Sequence, residues 1–101
     1  MSVKKITADN FQKVVMESPV PVLLDFWATW CGPCRMLSPV IEQIAAERPD
    51  VVVGKVNVDE EYELAKQFRV ISIPTVLVMK DGVLTAKNVG YASKDKLAAL
   101  L

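Results

Sequence analysis

The sequence contains no histidine and only two cysteines, Cys31 and Cys34, among its 101 residues. A structural zinc site needs four ligands, usually cysteine and histidine, so this chain cannot close such a site alone. A structural disulfide across so short a loop would restrain the unfolded chain little. We therefore interpret the two cysteines as a reactive pair, the usual role of such a pair in an intracellular protein.

An excess of charge of one sign is also missing. Lysine plus arginine equals aspartate plus glutamate, at 12 each, and no basic stripe with interleaved aromatic residues occurs, so nucleic acid is not expected as a partner. No segment approaches the roughly 18 apolar residues that span a bilayer, and residues 1–6 lack the apolar core of a signal peptide. We expect a soluble, cytoplasmic protein that does not bind membranes. The acidic cluster at 59–63 is interpreted as the solvated first turn of a helix.

The length fits one domain, which we expect to span residues 1–101. Apolar patterning predicts strands over 3–6, 21–27, 51–57, 75–80 and 83–89, and helices over 9–17, 31–47, 60–68 and 94–101. Helices that connect successive strands imply parallel pairing, and the Asp81-Gly82 turn signal adds an antiparallel hairpin. The prediction is an α/β protein whose mixed sheet is covered by helices.

The Cys-Gly-Pro-Cys segment lies where a predicted strand ends and a helix begins. Free backbone N–H groups and the helix dipole would stabilise Cys31 as a thiolate there, which lowers a cysteine pKa from roughly 8.5 toward neutrality. Pro33 suits the first helical turn, and Cys34, about one turn in, should be more buried. Cys31 is predicted to attack a disulfide and Cys34 to displace the reduced product. The alternatives to a reactive pair are two ordinary cysteines or a metal site. The position of the motif at a strand-to-helix junction makes both less favoured.

Asp25 is a carboxylate inside an apolar strand, and alternation places it on the same face as Leu23 and Trp27. A buried carboxylate is costly and its pKa should be raised. Taken alone, the pattern favours a structural aspartate with a satisfying partner. Placed just before the cysteine motif, it favours a group that takes and returns the proton of Cys34. Lys55 is a candidate neighbour across the sheet, or else a lysine whose head extends to solvent.

Two further features flank the motif. Ser72-Ile73-Pro74-Thr75 precedes a strand, where proline is tolerated because it need not donate a ladder hydrogen bond. A cis bond occurs before only about 5–6% of prolines, so the residues alone do not predict one. Trp30, next to Cys31 on a turn, is expected to be exposed.

The segment 26–34, Phe-Trp-Ala-Thr-Trp-Cys-Gly-Pro-Cys, closely resembles the active-site motif of the thioredoxin family, and the similarity runs through the whole chain. Asp25 and Lys55 match the family's buried aspartate and its lysine partner. Pro39 matches the proline of the active-site helix, and Ile73-Pro74-Thr75 matches the cis-proline loop. This combination of motifs is highly specific.

The resemblance implies the thioredoxin fold, a five-stranded mixed sheet in the order 1-3-2-4-5 flanked by four helices. It implies that the Ile73–Pro74 bond is cis. It also implies a shallow apolar groove in which an extended substrate segment pairs with backbone near Ile73. The groove residues are Trp30, Gly32, Pro33, Ile73, Pro74 and Gly90.

The same resemblance implies how the protein would be used. No cofactor or metal would be bound, and an NADPH-dependent thioredoxin reductase would reduce the oxidised form. Family clients include ribonucleotide reductase, peroxiredoxins and methionine sulfoxide reductases, and we expect a monomer. Arg35, Tyr91 and the short final helix depart from common family patterns without touching the reaction.

We therefore predict a general protein-disulfide reductase. An oxidase or isomerase on the same fold is the nearest alternative; the Gly32-Pro33 dipeptide argues against it, because the residues between the cysteines help to set thiolate stability. A binding subunit that uses the fold without turnover is the alternative of a different class, and the residues leave it open.

Overall fold

The computed structural model describes residues 3–101 and has five strands and four helices there, in the predicted order. The strands are β1 Lys4–Lys5, β2 Val22–Trp27, β3 Val52–Asn57, β4 Thr75–Lys80 and β5 Val83–Val89. The helices are α1 Gln12–Met16, α2 Gly32–Glu47, α3 Tyr62–Gln67 and α4 Lys94–Ala98. The longest helix, α2, has 16 residues, and none of the helices in this range is long and apolar enough to cross a membrane.

The five strands form one mixed sheet in the order β1-β3-β2-β4-β5. β3 pairs in parallel with β1 and β2, and β4 pairs antiparallel with β2 and β5. The strand order and the mixed pairing implied by the resemblance are thus confirmed. In this register Asp25 on central β2 lies between Lys55 on β3 and Val76 on β4.

Helices cover both faces of the sheet, and alternation along β2 divides its side chains between two buried clusters. One cluster joins the sheet to α1 and α3 and includes Leu24, Phe26, Val56, Leu77, Val15 and Leu64. The other joins it to α2 and α4 and includes Leu23, Val53, Val76, Leu37, Ile41 and Leu97. Asp25 alternates with Leu24 and Phe26, so its side chain lies on the face covered by α2.

The first helix differs from the expected regular helix over 9–17. Asn10 accepts a hydrogen bond from the Thr7 N–H at 2.8 Å, and this side-chain turn delays the helix start. Residues Gln12–Met16 then form a π-helix, in which the Glu17 N–H donates to the Gln12 carbonyl, five residues earlier, at 3.0 Å. The expected apolar face is kept, because Val15 remains buried.

Turn and cap residues act as predicted in the second half of the chain. Asp81 and Gly82 have φ values of 52° and 76°, which a tight two-residue hairpin requires. Ser93 caps α4 by accepting the Lys96 N–H at 3.2 Å. The helix ends at Ala98, earlier than expected, and the last two leucines pack partly buried against the cluster beneath α2.

Candidate active site

The two cysteines lie at the N-terminus of α2, immediately after the turn that follows β2. Cys31 is the N-cap residue, with extended backbone, and its Sγ accepts the N–H of Cys34 at 3.2 Å. Pro33 occupies the first helical turn, as predicted. The sulfurs of Cys31 and Cys34 are joined in a disulfide, with the Cα atoms 5.2 Å apart. A backbone N–H of the helix start therefore points at the Cys31 sulfur.

Both cysteines are almost completely covered in this disulfide form. Cys31 is 5% exposed and Cys34 is 3% exposed, so the expected difference in burial between them is small. The residues packed around the pair are Ala28, Trp27, Val58 and Ile73. Little of either cysteine faces solvent.

The loop that precedes β4 reaches the Cys31 sulfur. The Ile73–Pro74 bond is cis, as the resemblance implied, and the Ile73 carbonyl oxygen lies 3.8 Å from Cys31 Sγ. Gly90, with φ of 94°, donates its N–H to the Pro74 carbonyl at 2.8 Å. The fold thus brings Cys31, Ile73, Pro74 and Gly90 together from three separate parts of the chain.

Trp30 is 67% exposed, as expected, and its indole N–H donates to Asp59 Oδ2 at 2.9 Å. The interpretation of 59–63 as a solvated first helical turn is wrong for its beginning. Asn57 Oδ1 accepts the Asp59 N–H at 2.9 Å, which forms a turn, and α3 begins only at Tyr62. Asp59 instead holds the indole beside the cysteine motif. Sequence reasoning missed this partner because it is 29 residues away from Trp30.

The remaining motif residues lie on the outer edge of the disulfide. Gly32 is half-buried and Pro33 is exposed. Arg35 Nη1 donates to the Thr29 carbonyl at 3.0 Å, which keeps a positive charge next to the turn. Of the other predicted groove residues, Trp30 is exposed, Ile73 and Gly90 are half-buried, and Pro74 is buried.

Asp25 is fully buried, and neither of its carboxylate oxygens has a hydrogen-bond partner within residues 3–101. Burial raises the pKa of this carboxyl to about 7. The positive charge of Lys55 has the opposite, smaller effect and lowers the pKa. Within residues 3–101 no protein group acts as the satisfying partner of a structural aspartate, and the role of Asp25 in proton transfer stays a prediction. The group can gain or lose a proton near neutral pH.

Lys55 points toward α2 rather than away from the protein. Its ammonium donates to Ser38 Oγ at 3.3 Å and lies 4.5 Å from the ring centroid of Trp27. It is in register with Asp25 across the β2–β3 pair. Ser38 was not among the candidate residues, because a serine on a helix carries no sequence signal for this contact.

Taken together, the site has a disulfide at a helix start, a buried carboxyl that titrates near neutral pH, and an apolar loop against the sulfur. No group of three metal-ligating side chains converges anywhere between residues 3 and 101. Sulfur-for-sulfur exchange is the chemistry that such a pair performs. The fold and the site define a thiol–disulfide oxidoreductase.

Comparison with known proteins gives the family. The family model described as Thioredoxin matches residues 2–101. A thioredoxin of Mycobacterium bovis is 50% identical over 94 residues, which cover 92% of this chain and 81% of the relative. A thioredoxin of Chlamydia pneumoniae is 46% identical over 99 residues, covering 98% and 95%. Thioredoxin 1 of Synechococcus elongatus is 48% identical over 97 residues, covering 95% and 91%.

The chain belongs to the thioredoxin family. Its activity is accordingly thiol–disulfide reduction, which acts on disulfide-containing substrates and depends on a reductase partner. Thioredoxins need no prosthetic cofactor for this reaction.

Proposed function

We propose that the protein is a general protein-disulfide reductase in which Cys31 attacks and Cys34 resolves. The Cys31 thiolate attacks a substrate disulfide, forms a mixed disulfide and releases one substrate thiolate. Cys34 then attacks the Cys31 sulfur, closes the internal disulfide and releases the second substrate thiolate. The observation that carries this assignment is the Cys34 N–H donated to Cys31 Sγ at 3.2 Å at the start of α2, because a donor there favours negative charge on that sulfur.

We further propose that Asp25 takes the proton of Cys34 during resolution and returns it when the disulfide is reduced. Its burial, the absence of a hydrogen-bond partner within residues 3–101 and its pKa of about 7 support this role. A base whose pKa matches the working pH is the most effective proton carrier. The charge of Lys55 supports the ionised form of the carboxyl.

An extended substrate segment would bind across the disulfide. Ile73 lies outside the β4 ladder and beside Cys31, which leaves its backbone suited to pairing with a substrate strand. At Gly90 an added Cβ would meet no atom within 4 Å, so this edge is open. The residues proposed to form the groove are Trp30, Gly32, Pro33, Ile73, Pro74 and Gly90.

Membership of the family supports a proposal for the cellular setting. We propose a monomeric, single-domain protein over residues 1–101 that works in the cytoplasm and binds neither nucleic acid nor membranes. Electrons would come from NADPH through thioredoxin reductase. Ribonucleotide reductase, peroxiredoxins and methionine sulfoxide reductases are the proposed types of client. The equal numbers of acidic and basic residues support a protein without a polyanionic partner.

Insulin reduction with NADPH and thioredoxin reductase tests the proposed activity. The wild type should reduce insulin, Cys31→Ser should be inactive, and Cys34→Ser should accumulate mixed disulfides with client proteins. The two serine variants are matched controls, because they remove one sulfur each from the same site. Trapping by Cys31→Ser instead of Cys34→Ser would reverse the assigned roles.

The reduction potential separates a reductase from an oxidase or isomerase. Thioredoxins have potentials of about −270 mV and protein disulfide isomerase about −180 mV. We expect a value near the first, and a value near the second would contradict the proposal. Biological activity of a Cys31→Ser, Cys34→Ser double variant would instead favour a binding subunit.

A further inference from the structure

The ammonium of Lys55 has a partner that the proposed reaction does not use. Its Nζ donates to Ser38 Oγ at 3.3 Å and lies over the Trp27 ring at 4.5 Å. Lys55 is in register with Asp25, so both side chains leave the sheet on the face that α2 covers. No ion pair joins the two groups within residues 3–101, and the Asp25 oxygens have no hydrogen-bond partner there.

Ser38 connects this lysine to the cysteine helix. It lies in α2 four residues after Cys34, and residues at that spacing share one face of a helix. The serine is half-buried, as is Lys55. One hydroxyl therefore holds the ammonium beneath the helix that carries both sulfurs.

Lys55 and Trp27 both line a surface hollow of about 380 Å³, so the ammonium lies at the wall of this hollow and has room to move further into it. The charged groups that line this hollow with Lys55 are Lys4, Lys5 and Glu60. Lys5 is in register with Lys55 and pairs with Glu60 at 3.5 Å. An ammonium is strongly hydrated and a lysine side chain readily extends its head to water.

The groups that face Asp25 come from the three neighbouring elements. β3 contributes Lys55, which carries the one positive charge, and β4 contributes the apolar Val76. Cys31 and Cys34 of α2 lie in the disulfide and carry no titratable proton in this form. Burial has the largest effect on the pKa of Asp25, and the positive charge of Lys55 opposes it, so the position of the ammonium sets how strongly burial is offset.

We propose that Ser38 is a positioning residue for the buried acid: its hydroxyl keeps the Lys55 ammonium under α2, where the positive charge stabilises the Asp25 carboxylate. The inference rests on the proposed role of Asp25 in the reaction. Without the hydroxyl, the ammonium loses its hydrogen-bond acceptor and moves further into the hollow to be hydrated. The carboxylate then has less stabilisation, and Asp25 holds its proton to higher pH.

Titration of Asp25 by carboxyl carbon NMR in the disulfide form tests this step directly, because the cysteines do not titrate there. Ser38→Ala should raise the pKa of Asp25 by about half a unit or more, a small part of the range that a nearby charge can produce. Ser38→Thr keeps the hydroxyl and should leave the pKa near that of the wild type. An unchanged or lowered pKa in Ser38→Ala would overturn the proposal.

A double-mutant cycle with Lys55→Met shows whether the serine acts through the lysine. In the Lys55→Met background, Ser38→Ala should produce no further change in the pKa of Asp25. An equal shift in both backgrounds would mean that Ser38 acts on Asp25 by another route, and the proposal would fail. Alanine is the best helix former, so the single variant should fold.

The reaction supplies a second measurement. The pH midpoint of mixed-disulfide resolution by Cys34 should move upward in Ser38→Ala, with the rate recovered at high pH. If Asp25→Asn resolves mixed disulfides as fast as the wild type, the proton-carrier role fails while the NMR result still decides the effect of Ser38. The two proposals can therefore fail separately.

Discussion

At the scale of single residues, Asp25 has the most unusual environment in the site. A fully buried carboxyl without a hydrogen-bond partner in the described range is costly to ionise. We expect Asp25→Asn to slow resolution of the mixed disulfide by about 100-fold at pH 7, because general-base assistance is lost. Stopped-flow measurement of substrate release from a preformed mixed disulfide checks this. Attack by Cys31 on the substrate is the internal control, since its rate should change less than that of resolution.

Cys31 offers a second test at the same scale. The chain has no other cysteines than the pair, so a Cys34→Ser variant reports on Cys31 alone. Its rate of alkylation as a function of pH should show a midpoint below the value of roughly 8.5 for free cysteine. The cause would be the N–H groups at the start of α2. Reactivity equal to that of free cysteine at pH 7 would remove the basis for attack by this sulfur.

Trp30 gives a third test. Its indole is held by Asp59 at 2.9 Å while two-thirds of the side chain faces solvent. Asp59→Ala should free the ring, and we expect KM for protein substrates to rise several-fold with little change in kcat, because orienting a contact residue affects binding more than chemistry. Asp59→Asn retains an acceptor and is the matched control. Equal kinetics in both variants and the wild type would contradict a binding role for the held indole.

These residues also show what sequence can reveal about a site. The sequence reveals Cys31 and Cys34 because they form a closely spaced pair at a predicted helix start. It reveals Asp25 because an acidic residue is unusual in an apolar strand. Asp59 and Ser38 are ordinary polar residues in polar or amphipathic segments. Their importance lies in contacts made across the fold, 29 and 17 residues away from their partners, which no local pattern encodes.

At the scale of elements, β3 passes close to the first strand at Gly54. A Cβ at this position would lie 2.5 Å from Ile6 Cγ1 and 3.3 Å from Leu24 Cδ2. We expect Gly54→Ala to lower the free energy of unfolding by about 1–3 kcal/mol, the usual cost of overpacking. Denaturant unfolding of the disulfide form measures this change.

Gly32→Ala is the control for that measurement. Its added Cβ would meet only the Arg35 guanidinium, at 4.0 Å, and Gly32 has no positive φ. It should therefore change stability much less than Gly54→Ala. Equal destabilisation by the two substitutions would show that close packing against Ile6 is not the cause.

The elements differ in how well the sequence predicts their bounds. β4 and β5 match the prediction at both ends. Pro74 precedes β4, the Asp81-Gly82 turn separates the two strands, and Gly90 with its positive φ follows β5. α1 and α3 begin later than predicted, because the side chains of Asn10 and Asn57 close turns before them. Propensity and periodicity identify an element, whereas its first residue depends on which side chain competes for the backbone.

At the scale of the whole molecule, the burial of Asp25 makes stability depend on pH. Its ordinary pKa is 3.8, which applies to the unfolded chain, and burial raises the pKa to about 7 in the folded protein. Between these values the folded state holds a proton that the unfolded state has lost. The contribution of Asp25 to the free energy of unfolding therefore falls as pH rises from about 4 to about 7, by about 4 kcal/mol, and levels off above.

Asp25→Asn tests this dependence, because asparagine resembles the protonated acid in shape and charge. The variant should match the wild type near pH 4 and exceed its stability above pH 7, measured by denaturant unfolding of the disulfide form. The hydrogen bond from Arg48 lowers the pKa of Asp50 from its ordinary value of 3.8. This exposed pair therefore adds little stability, which is present above that pH and is lost as pH falls below it. Parallel stability curves for variant and wild type would contradict the assigned origin.

Both sulfurs are almost completely covered in the disulfide form, and we expect Cys31 to remain recessed after reduction, which would limit the disulfides of other proteins that it can reach. A recessed sulfur can react only with a substrate disulfide that reaches it. The exposure of the substrate disulfide therefore determines whether it is reduced. A substrate disulfide on an exposed, flexible loop can align with Cys31. A substrate disulfide buried among packed side chains cannot align with Cys31. We expect folded proteins to keep such disulfides until they partly unfold.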